Sequence, residues 1–311
     1  MRTAVLSDAP LPEPDPSRPP WSGEHVVIAG TRIFLRRTPA TGDNAQPALY
    51  VHGLGGASTN WTDLAGLLAD RLDGAALDLP GFGQSGPAPR GDYSIAAHAR
   101  TVAALIETEG AAPLHLIGNS MGGLVAVSVA ARRPELVRSL TLISPAMPSL
   151  RPKRGSDPLL PLLLLPGVSR VAQRRLAGYT PEDRARAVIE LCFADPSRIP
   201  ENRLAEAAEE VRRRSELPYA MDAFTRSLRG LVGSYLPRRE SGWALAGQVR
   251  APTLVIWGNQ DRLVDVALAP RTARTIPDAR LLVLPGIGHT AQLEDPVTTA
   301  RAILALLDDT P

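Results

Sequence analysis

Cysteine is almost missing from this sequence, and its scarcity excludes one class of fold. The 311 residues contain a single cysteine, Cys192, so no disulfide can form within the chain and a disulfide-stabilised secreted scaffold is excluded. The segment around it, VIELCFA, is largely apolar. This context is typical of a cysteine that packs as a small hydrophobic residue, so we predict a structural thiol rather than a reactive one.

The sequence also lacks a strong charge of one sign and a long apolar run. Its formal net charge is +2, and no segment concentrates the basic residues as a nucleic-acid surface would. The apolar run PLLPLLLLPGV, residues 158–168, is interrupted by prolines and is far shorter than the roughly 20 residues that span a bilayer. The amino-terminal segment lacks the apolar core of a signal peptide. We therefore predict a cytoplasmic protein with no nucleic-acid partner and no stable membrane insertion.

Short β-like runs alternate with helical patterns along most of the chain, which is typical of a parallel sheet flanked by helices. The proline-rich residues 1–22 predict an amino-terminal arm that is disordered or draped over the surface. Residues 23–144 and 242–311 carry the alternating pattern and are predicted to form an α/β core. Residues 145–241 show helical patterns without a convincing strand, so we predict an inserted helical cap, or lid.

One serine lies in a pattern that predicts a nucleophile. The segment Gly118–Gly122 fits G-x-S-x-G around Ser120, with an apolar run before it and a small-residue helical pattern after it. A serine at such a sharp strand-to-helix turn exposes its hydroxyl, and the flanking glycines relieve the crowding of the strained backbone. The alternative is a serine that only caps the following helix.

A serine nucleophile needs a general base and a carboxylate that orients the base. His289 follows the last predicted strand, in a glycine-rich loop, and Asp261 follows the strand before it. Both positions lie at the carboxyl edge of the predicted sheet, where the catalytic residues of open α/β sheets gather. We therefore predict Ser120, His289 and Asp261 as the catalytic residues.

The other four histidines have weaker claims to the role of base. His52, in VHGLGG, is the one serious rival, and its place suggests that it braces that loop. His25 precedes the first strand, His115 lies inside the strand before the serine, and His98 is predicted to face outward from a helix.

An oxyanion hole requires preorganised donors, which are commonly backbone N–H groups. We predict the N–H groups of Met121, at the start of the helix, and Leu54, in HGLGG, where glycines let the backbone approach a substrate. A plain glycine-rich turn is the alternative for HGLGG. A nucleotide site is not indicated, because no G-x-G-x-x-G follows a strand and no G-K-[ST] occurs.

Five segments, taken together and in order, resemble the α/β-hydrolase superfamily: HGLGG, DLPGFGQS, GNSMGG, WGNQDRLV and GIGHTAQLEDP. The order Ser120, Asp261, His289 is the nucleophile, acid and base order of that family. The resemblance implies an α/β-hydrolase fold, a helical cap over the active site, and chemistry that needs no metal or organic cofactor.

Serine at position 120 argues against the haloalkane dehalogenases and epoxide hydrolases, whose nucleophile is an aspartate. GNSMGG together with Asn60 is similar to the meta-cleavage product hydrolases, which break carbon-carbon bonds, but Thr290 stands where those enzymes usually have an aromatic residue. They also use a cap arginine for the substrate carboxylate. The candidates here are typical of solvated helix faces: Arg186, Arg203 and Arg226.

The simplest prediction is a serine esterase that acts on a small-molecule ester or acyl substrate through an acyl-enzyme. A carbon-carbon bond hydrolase and a catalytically weak ligand receptor of the same fold stay open as alternatives. The leucine-proline run predicts an apolar acyl pocket and a preference for medium or apolar acyl chains over acetyl, and the alternative for this run is a lid segment packed on the core. The predicted substrate-binding residues are Gly53, Asn60, Leu162 and Leu165.

Overall fold

A nine-stranded sheet forms the centre of the molecule. The computed structural model describes residues 2–149, 178–236 and 241–310, and in this part of the chain the strand order is β1-β9-β8-β7-β6-β4-β5-β3-β2. All neighbouring strands are parallel except the pairs β2/β3 and β3/β5. The predicted α/β fold with a mostly parallel sheet is confirmed. The strands are β1 (Arg2–Thr3), β2 (Gly23–Ile28), β3 (Thr31–Thr38), β4 (Gln46–Val51), β5 (Leu72–Leu77), β6 (Leu114–Asn119), β7 (Val137–Ile143), β8 (Thr253–Gly258) and β9 (Ala279–Leu284).

Helices cover both faces of the sheet because successive strand side chains point to opposite faces. The helices are α1 (Thr62–Leu68), α2 (Ile95–Glu109), α3 (Met121–Arg132), α4 (Pro181–Cys192), α5 (Glu201–Glu216), α6 (Ala220–Gly233), α7 (Gly242–Ala246), α8 (Ala269–Thr275), α9 (Ala291–Glu294) and α10 (Pro296–Asp308). Leu49 and Val51 of β4 pack in one buried cluster with α2, α3, α7 and α8, whereas Ala48 and Tyr50 pack in a second cluster with α1 and α10.

Successive strands are added to opposite sides of β4, and the candidate site lies at this point of the sheet. The chain passes from β4 to β5 on one side and then returns through α2 to β6 on the other side, so that Val51 of β4 pairs with Gly118 of β6. In open α/β sheets, ligands bind outside the carboxyl ends of the strands at such a switch point. The segments that follow β4 and β6 begin at His52 and Ser120.

The N-terminal arm, which was predicted to be disordered or draped, lies along the core in residues 2–22. Arg2–Thr3 forms β1 and pairs with β9 in parallel, and Ser7 donates its backbone N–H to the carbonyl oxygen of Arg301 over 3.0 Å. At the far end of the arm, Nε1 of Trp21 donates to the carbonyl oxygen of Thr62 over 3.0 Å. The arm therefore runs from an edge of the sheet to α1.

Between β7 and α7, the described residues form three helices, α4 to α6. One arginine of α5 contradicts the prediction made from its sequence. Arg203 was expected on a solvated face, but only 5% of the residue is exposed. Its guanidinium makes a two-point contact with Asp63 of α1, at 2.7 and 3.0 Å, and a 2.6 Å contact with Glu206. Its charge is neutralised inside the contact between α5 and α1. Arg186 and Arg226 are exposed.

Replacing Asp63 with alanine is expected to lower the free energy of unfolding by about 3 kcal/mol, because a buried guanidinium loses a two-point partner. Glu216→Ala is the matched control. Glu216 pairs with Arg212 at an exposed position of α5, 3.1 Å apart, and its loss should cost about 0.5 kcal/mol or less. Chemical denaturation measures both values. Equal losses in the two variants would show that the contact of Asp63 with Arg203 contributes no more to the free energy of unfolding than an exposed ion pair does.

No helix within the described ranges is both long enough and apolar enough to cross a membrane.

Candidate active site

Ser120 occupies a strained turn between β6 and α3. Its backbone has φ 56° and ψ −120°, a conformation that residues other than glycine rarely adopt. The turn is possible because Gly122 packs against the carbonyl oxygens of Val51 and His52, where a Cβ would collide with both. The Ser120 side chain makes no capping hydrogen bond to α3, so the helix-cap interpretation is not supported. The turn instead leaves the hydroxyl available for other contacts.

His289 and Asp261 meet at the carboxyl edge of the sheet. Nδ1 of His289 lies 2.8 Å from Oδ2 of Asp261, and 3% of each residue is exposed. The other carboxylate oxygen accepts the N–H groups of Leu263 and Val264, at 2.8 and 2.9 Å. Burial acts to raise the pKa of Asp261, but the charge and hydrogen bond of His289 and the two N–H groups outweigh it, so the pKa lies below its usual value.

The ionised Asp261 fixes the tautomer of the imidazole ring. A carboxylate can only accept, so Nδ1 of His289 carries the proton and donates it. In the neutral ring the lone pair is then on Nε2, the nitrogen that can accept a proton from a nucleophile. This arrangement is the one that a general base for serine requires.

Asn119, next to Ser120, joins the strand-to-helix turn to the histidine loop. Its Nδ2 donates to the carbonyl oxygen of His289 over 3.2 Å and to that of Ile143 over 3.0 Å. The side chain is buried, so these bonds are shielded from water. They bring the backbone of His289 beside the residue that precedes the candidate nucleophile.

The HGLGG segment approaches the same turn. A Cβ built on Gly53 would lie 3.0 Å from Cβ of Ser120, so the absence of a side chain lets this backbone lie against the serine. Leu54, the predicted oxyanion donor, is the next residue. The second predicted donor, Met121, is the first residue of α3, and the first N–H groups of a helix have no partner within the helix.

Asn60, a predicted substrate-binding residue, holds this loop together. Its Oδ1 accepts the N–H of Ala57 over 3.0 Å, and a Cβ on Gly56 would lie 2.5 Å from that oxygen. The side-chain carbonyl oxygen of Asn60 is thus hydrogen-bonded within the loop. Leu162 and Leu165, the other predicted substrate-binding side chains, lie outside the described residues.

His52 is the rival base, and its two ring nitrogens are both engaged. Nε2 accepts the N–H of Leu79 over 3.0 Å, so Nδ1 carries the proton and donates to the carbonyl oxygen of Gly53 over 2.7 Å. Burial lowers the pKa of His52. This geometry gives His52 the loop-bracing role that its sequence context suggested.

Two other histidines pair with serines away from this edge. His115 and Ser139 lie near the amino ends of β6 and β7, with Nδ1 and Oγ 2.7 Å apart. His98 was expected to face outward, and that expectation is wrong, because α6 covers it. Its Nε2 lies 3.3 Å from Oγ of Ser227, and only 1% of His98 is exposed. Burial lowers the pKa of each histidine to about 4.

The burial of His98 predicts a loss of stability in acid. The unfolded chain takes up a proton on this ring below about pH 6.5, whereas the folded chain does so only near pH 4, so stability falls as the pH decreases between these values. We expect a contribution of about 2 kcal/mol between pH 7 and pH 5. Urea unfolding at both pH values should therefore show a weaker pH dependence in His98→Gln. His25→Gln, at an exposed position, is the control; an equal change in both variants would contradict the prediction.

The motif search missed two side chains that hold the loops of the site. Asp78 is buried and accepts the N–H groups of Ser58 and Gln84, at 2.6 and 2.8 Å, which joins the segments after β4 and β5. Arg214 of α5 donates from Nη1 to the carbonyl oxygen of Gly55 over 2.9 Å. Asp78 stands in the DLPGFGQS segment, but Arg214 has no sequence signal that separates it from the other arginines of its helix.

Cys192 lies beside the Asp261 and His289 pair. Burial, followed by the negative charges of Asp261 and Glu294, raises the pKa of the thiol to about 12. The thiol is therefore protonated at neutral pH and is a poor nucleophile. Within the described ranges, no group of three histidine, cysteine or acidic side chains is placed to hold a metal ion.

A family model described as the alpha/beta hydrolase fold matches residues 47–296. The chain belongs to the α/β-hydrolase family. The match includes Ser120, Asp261 and His289 and both segments of the predicted oxyanion hole, and it confirms the resemblance that the five sequence motifs indicated.

Curated relatives of this chain include proteins of different named activity. The chain is 31% identical over 267 residues to the dihydrolipoyllysine-residue acetyltransferase component of the acetoin cleaving system of Cupriavidus necator, covering 86% of this chain and 64% of that relative. It thus spans less than two thirds of that protein's length. It is 28% identical over 261 residues to human monoacylglycerol lipase ABHD6, covering 83% of this chain and 74% of the lipase.

Among solved structures, the meta-cleavage product hydrolase CumD is similar in fold. It superposes with a TM-score of 0.73 at 20% identity, over 93% of this chain and 98% of CumD, which comes from Pseudomonas fluorescens. At this identity the likeness concerns the fold alone.

Proposed function

We propose that this protein is a serine hydrolase that cleaves small-molecule carboxylic esters through an acyl-enzyme. The observation that carries the proposal is the 2.8 Å contact between Nδ1 of His289 and Oδ2 of Asp261. It leaves Nε2 as the basic nitrogen of the ring. The bond from Asn119 to the carbonyl oxygen of His289 links the backbone of that histidine to the strained turn that contains Ser120.

In the proposed first half-reaction, Oγ of Ser120 attacks the ester carbonyl carbon while Nε2 of His289 takes the hydroxyl proton. The negative charge of Asp261 stabilises the imidazolium that forms. The N–H groups of Leu54 and Met121 stabilise the oxyanion of the tetrahedral intermediate. Collapse of the intermediate breaks the ester C–O bond, and the imidazolium gives its proton to the departing alcohol.

In the second half-reaction, His289 takes a proton from water, and the oxygen of that water attacks the acyl-enzyme carbonyl. A second tetrahedral intermediate forms in the same oxyanion hole and then releases the carboxylic acid. The proton on His289 returns to Oγ of Ser120, which restores the free enzyme.

The proposed cap and one relative indicate the class of substrate. We propose that residues 145–241 form a cap over the site and that its leucine-proline run, with Leu162 and Leu165, supplies an apolar acyl pocket. The named activity of the human relative, monoacylglycerol lipase, supports an ester of an apolar acid as the substrate class.

Steady-state hydrolysis of p-nitrophenyl esters from acetyl to dodecanoyl tests the proposal. We expect turnover with an optimum above acetyl, and an acyl adduct on the peptide that contains Ser120 when the reaction is quenched and measured by mass spectrometry. Hydrolysis of a meta-cleavage dienoate without ester turnover would overturn it in favour of a carbon-carbon bond hydrolase. Tight binding of esters without turnover by either route would favour a receptor.

A further inference from the structure

We propose that Glu294 is a positioning residue that ties the cap to the loop of the catalytic histidine. Glu294 ends α9, five residues after His289, and does not touch the groups assigned to the reaction above. The inference rests on the proposed function for its catalytic consequence, whereas the tie itself is a property of the fold.

The carboxylate of Glu294 collects three backbone donors from two separate segments. Oε2 accepts the N–H of Gly288 over 2.7 Å and that of Ala194 over 3.2 Å, and Oε1 accepts the N–H of Asp195 over 2.9 Å. Gly288 directly precedes His289, whereas the other two donors lie two and three residues after the end of the cap helix α4. Only 5% of Glu294 is exposed, so these charge-assisted bonds form away from water, where they are strong.

The segment Cys192–Asp195, which we name the cap strap, also contacts the histidine directly. The carbonyl oxygen of Cys192 accepts the backbone N–H of His289 over 2.6 Å. Gly288 packs so closely on the cap strap that a Cβ would collide with that same carbonyl oxygen. The cap strap and the histidine loop therefore move as one unit while the carboxylate of Glu294 holds them.

Three polar groups of His289 are hydrogen-bonded: its backbone N–H, its carbonyl oxygen and Nδ1. The cap strap binds its N–H, Asn119 binds its carbonyl oxygen, and Asp261 binds Nδ1. A displacement of the cap strap is transmitted to the position of Nε2. Because a misplacement of about 1 Å can lower a catalytic rate about 100-fold, this connection makes the geometry of the base depend on the cap.

Glu294→Gln tests the tie with a side chain of the same shape. The amide has one acceptor oxygen, and its NH₂ group must face at least one backbone N–H, so at least one of the three bonds is lost. With a p-nitrophenyl ester that the wild type hydrolyses, we expect kcat to fall at least tenfold while KM stays within twofold. In hydrogen-deuterium exchange, peptides covering 192–195 and 286–290 should both exchange faster.

Asp295→Ala is the matched structural control. Asp295 caps α10 by accepting the N–H of Thr298 over 3.1 Å, so its loss should lower the melting temperature without changing kcat. If Glu294→Gln behaves like this control, with a lower melting temperature and an unchanged kcat, the positioning role is wrong.

Ala194→Pro tests the same tie from the cap side, because proline removes one donor and leaves Glu294 intact. Phe193 has φ −93° and ψ 146°, which suits a residue before proline. A fall in kcat at constant KM, with a folded protein by circular dichroism, supports the proposal, and an unchanged kcat contradicts it.

The exchange measurement separates this inference from the proposed function. If the wild type hydrolyses no ester, the proposed function fails, but faster exchange of both peptides in Glu294→Gln still establishes the tie. If only the 286–290 peptide changes in an active enzyme, the tie to the cap is wrong and the ester hydrolase stands.

Discussion

Replacing Ser120 with alanine is expected to lower kcat for ester hydrolysis by about 10⁴-fold or more, because the acyl-enzyme can no longer form. The substitution removes only the hydroxyl, and that hydroxyl makes no capping bond to α3, so the fold should be retained. The measurement is the steady-state rate with the best p-nitrophenyl ester, together with loss of the acyl adduct.

The structure offers a matched control for this experiment. Ser139 pairs with a histidine, His115, over 2.7 Å, and both residues lie near the amino ends of their strands, away from the proposed site. Ser139→Ala should leave kcat within twofold of the wild-type value. A Ser120→Ala variant that keeps wild-type turnover, or a Ser139→Ala variant that loses it, would remove Ser120 from its proposed role.

Replacing Asp261 with asparagine is expected to lower kcat by about 10⁴-fold with little change in KM. An asparagine Nδ2 that faces Nδ1 of His289 donates a hydrogen bond, so the imidazole must accept there and carry its proton on Nε2. That tautomer cannot take the proton of Ser120. The measurement is kcat and KM at neutral pH for the folded variant.

Asp265→Asn is the control, four residues away on the same connection. Asp265 accepts the N–H of Ala267 over 3.0 Å in a solvent-exposed hydrogen bond, so the change should not affect kcat. If Asp261→Asn retains more than a tenth of the wild-type kcat, Asp261 does not orient the base, and another acceptor for Nδ1 must be sought.

Much of the site could be predicted because its residues follow strands. Parallel strands bring their carboxyl ends to one edge, so an apolar run followed by a polar residue predicts a position in space as well as in sequence. Ser120, Asp261 and His289 each carry this pattern, and the structure brings His289 and Asp261 into contact. Their catalytic roles stay predictions until the variants above are measured.

The errors concern side chains whose environment comes from a distant part of the chain. Arg203 has the local pattern of a solvated helix, yet Asp63, 140 residues earlier, neutralises it in a buried contact. His98 has the pattern of an outward face, yet α6 covers it. Neither partner is encoded in the local pattern, because the two residues of each contact are more than 100 residues apart in the sequence.

By itself, the sequence of this protein determined the fold, the family and the candidate nucleophile, acid and base, because hydrophobic periodicity and glycine positions act through local backbone geometry. Only the tertiary structure decided how His289, the candidate base, is held. The carboxylate of Glu294 accepts backbone N–H groups from the segment after α4 and from the histidine loop, about 100 residues apart, and Asn119 binds His289 across 170 residues. Such contacts depend on packing between elements, and backbone donors have no residue identity that a sequence pattern could reveal.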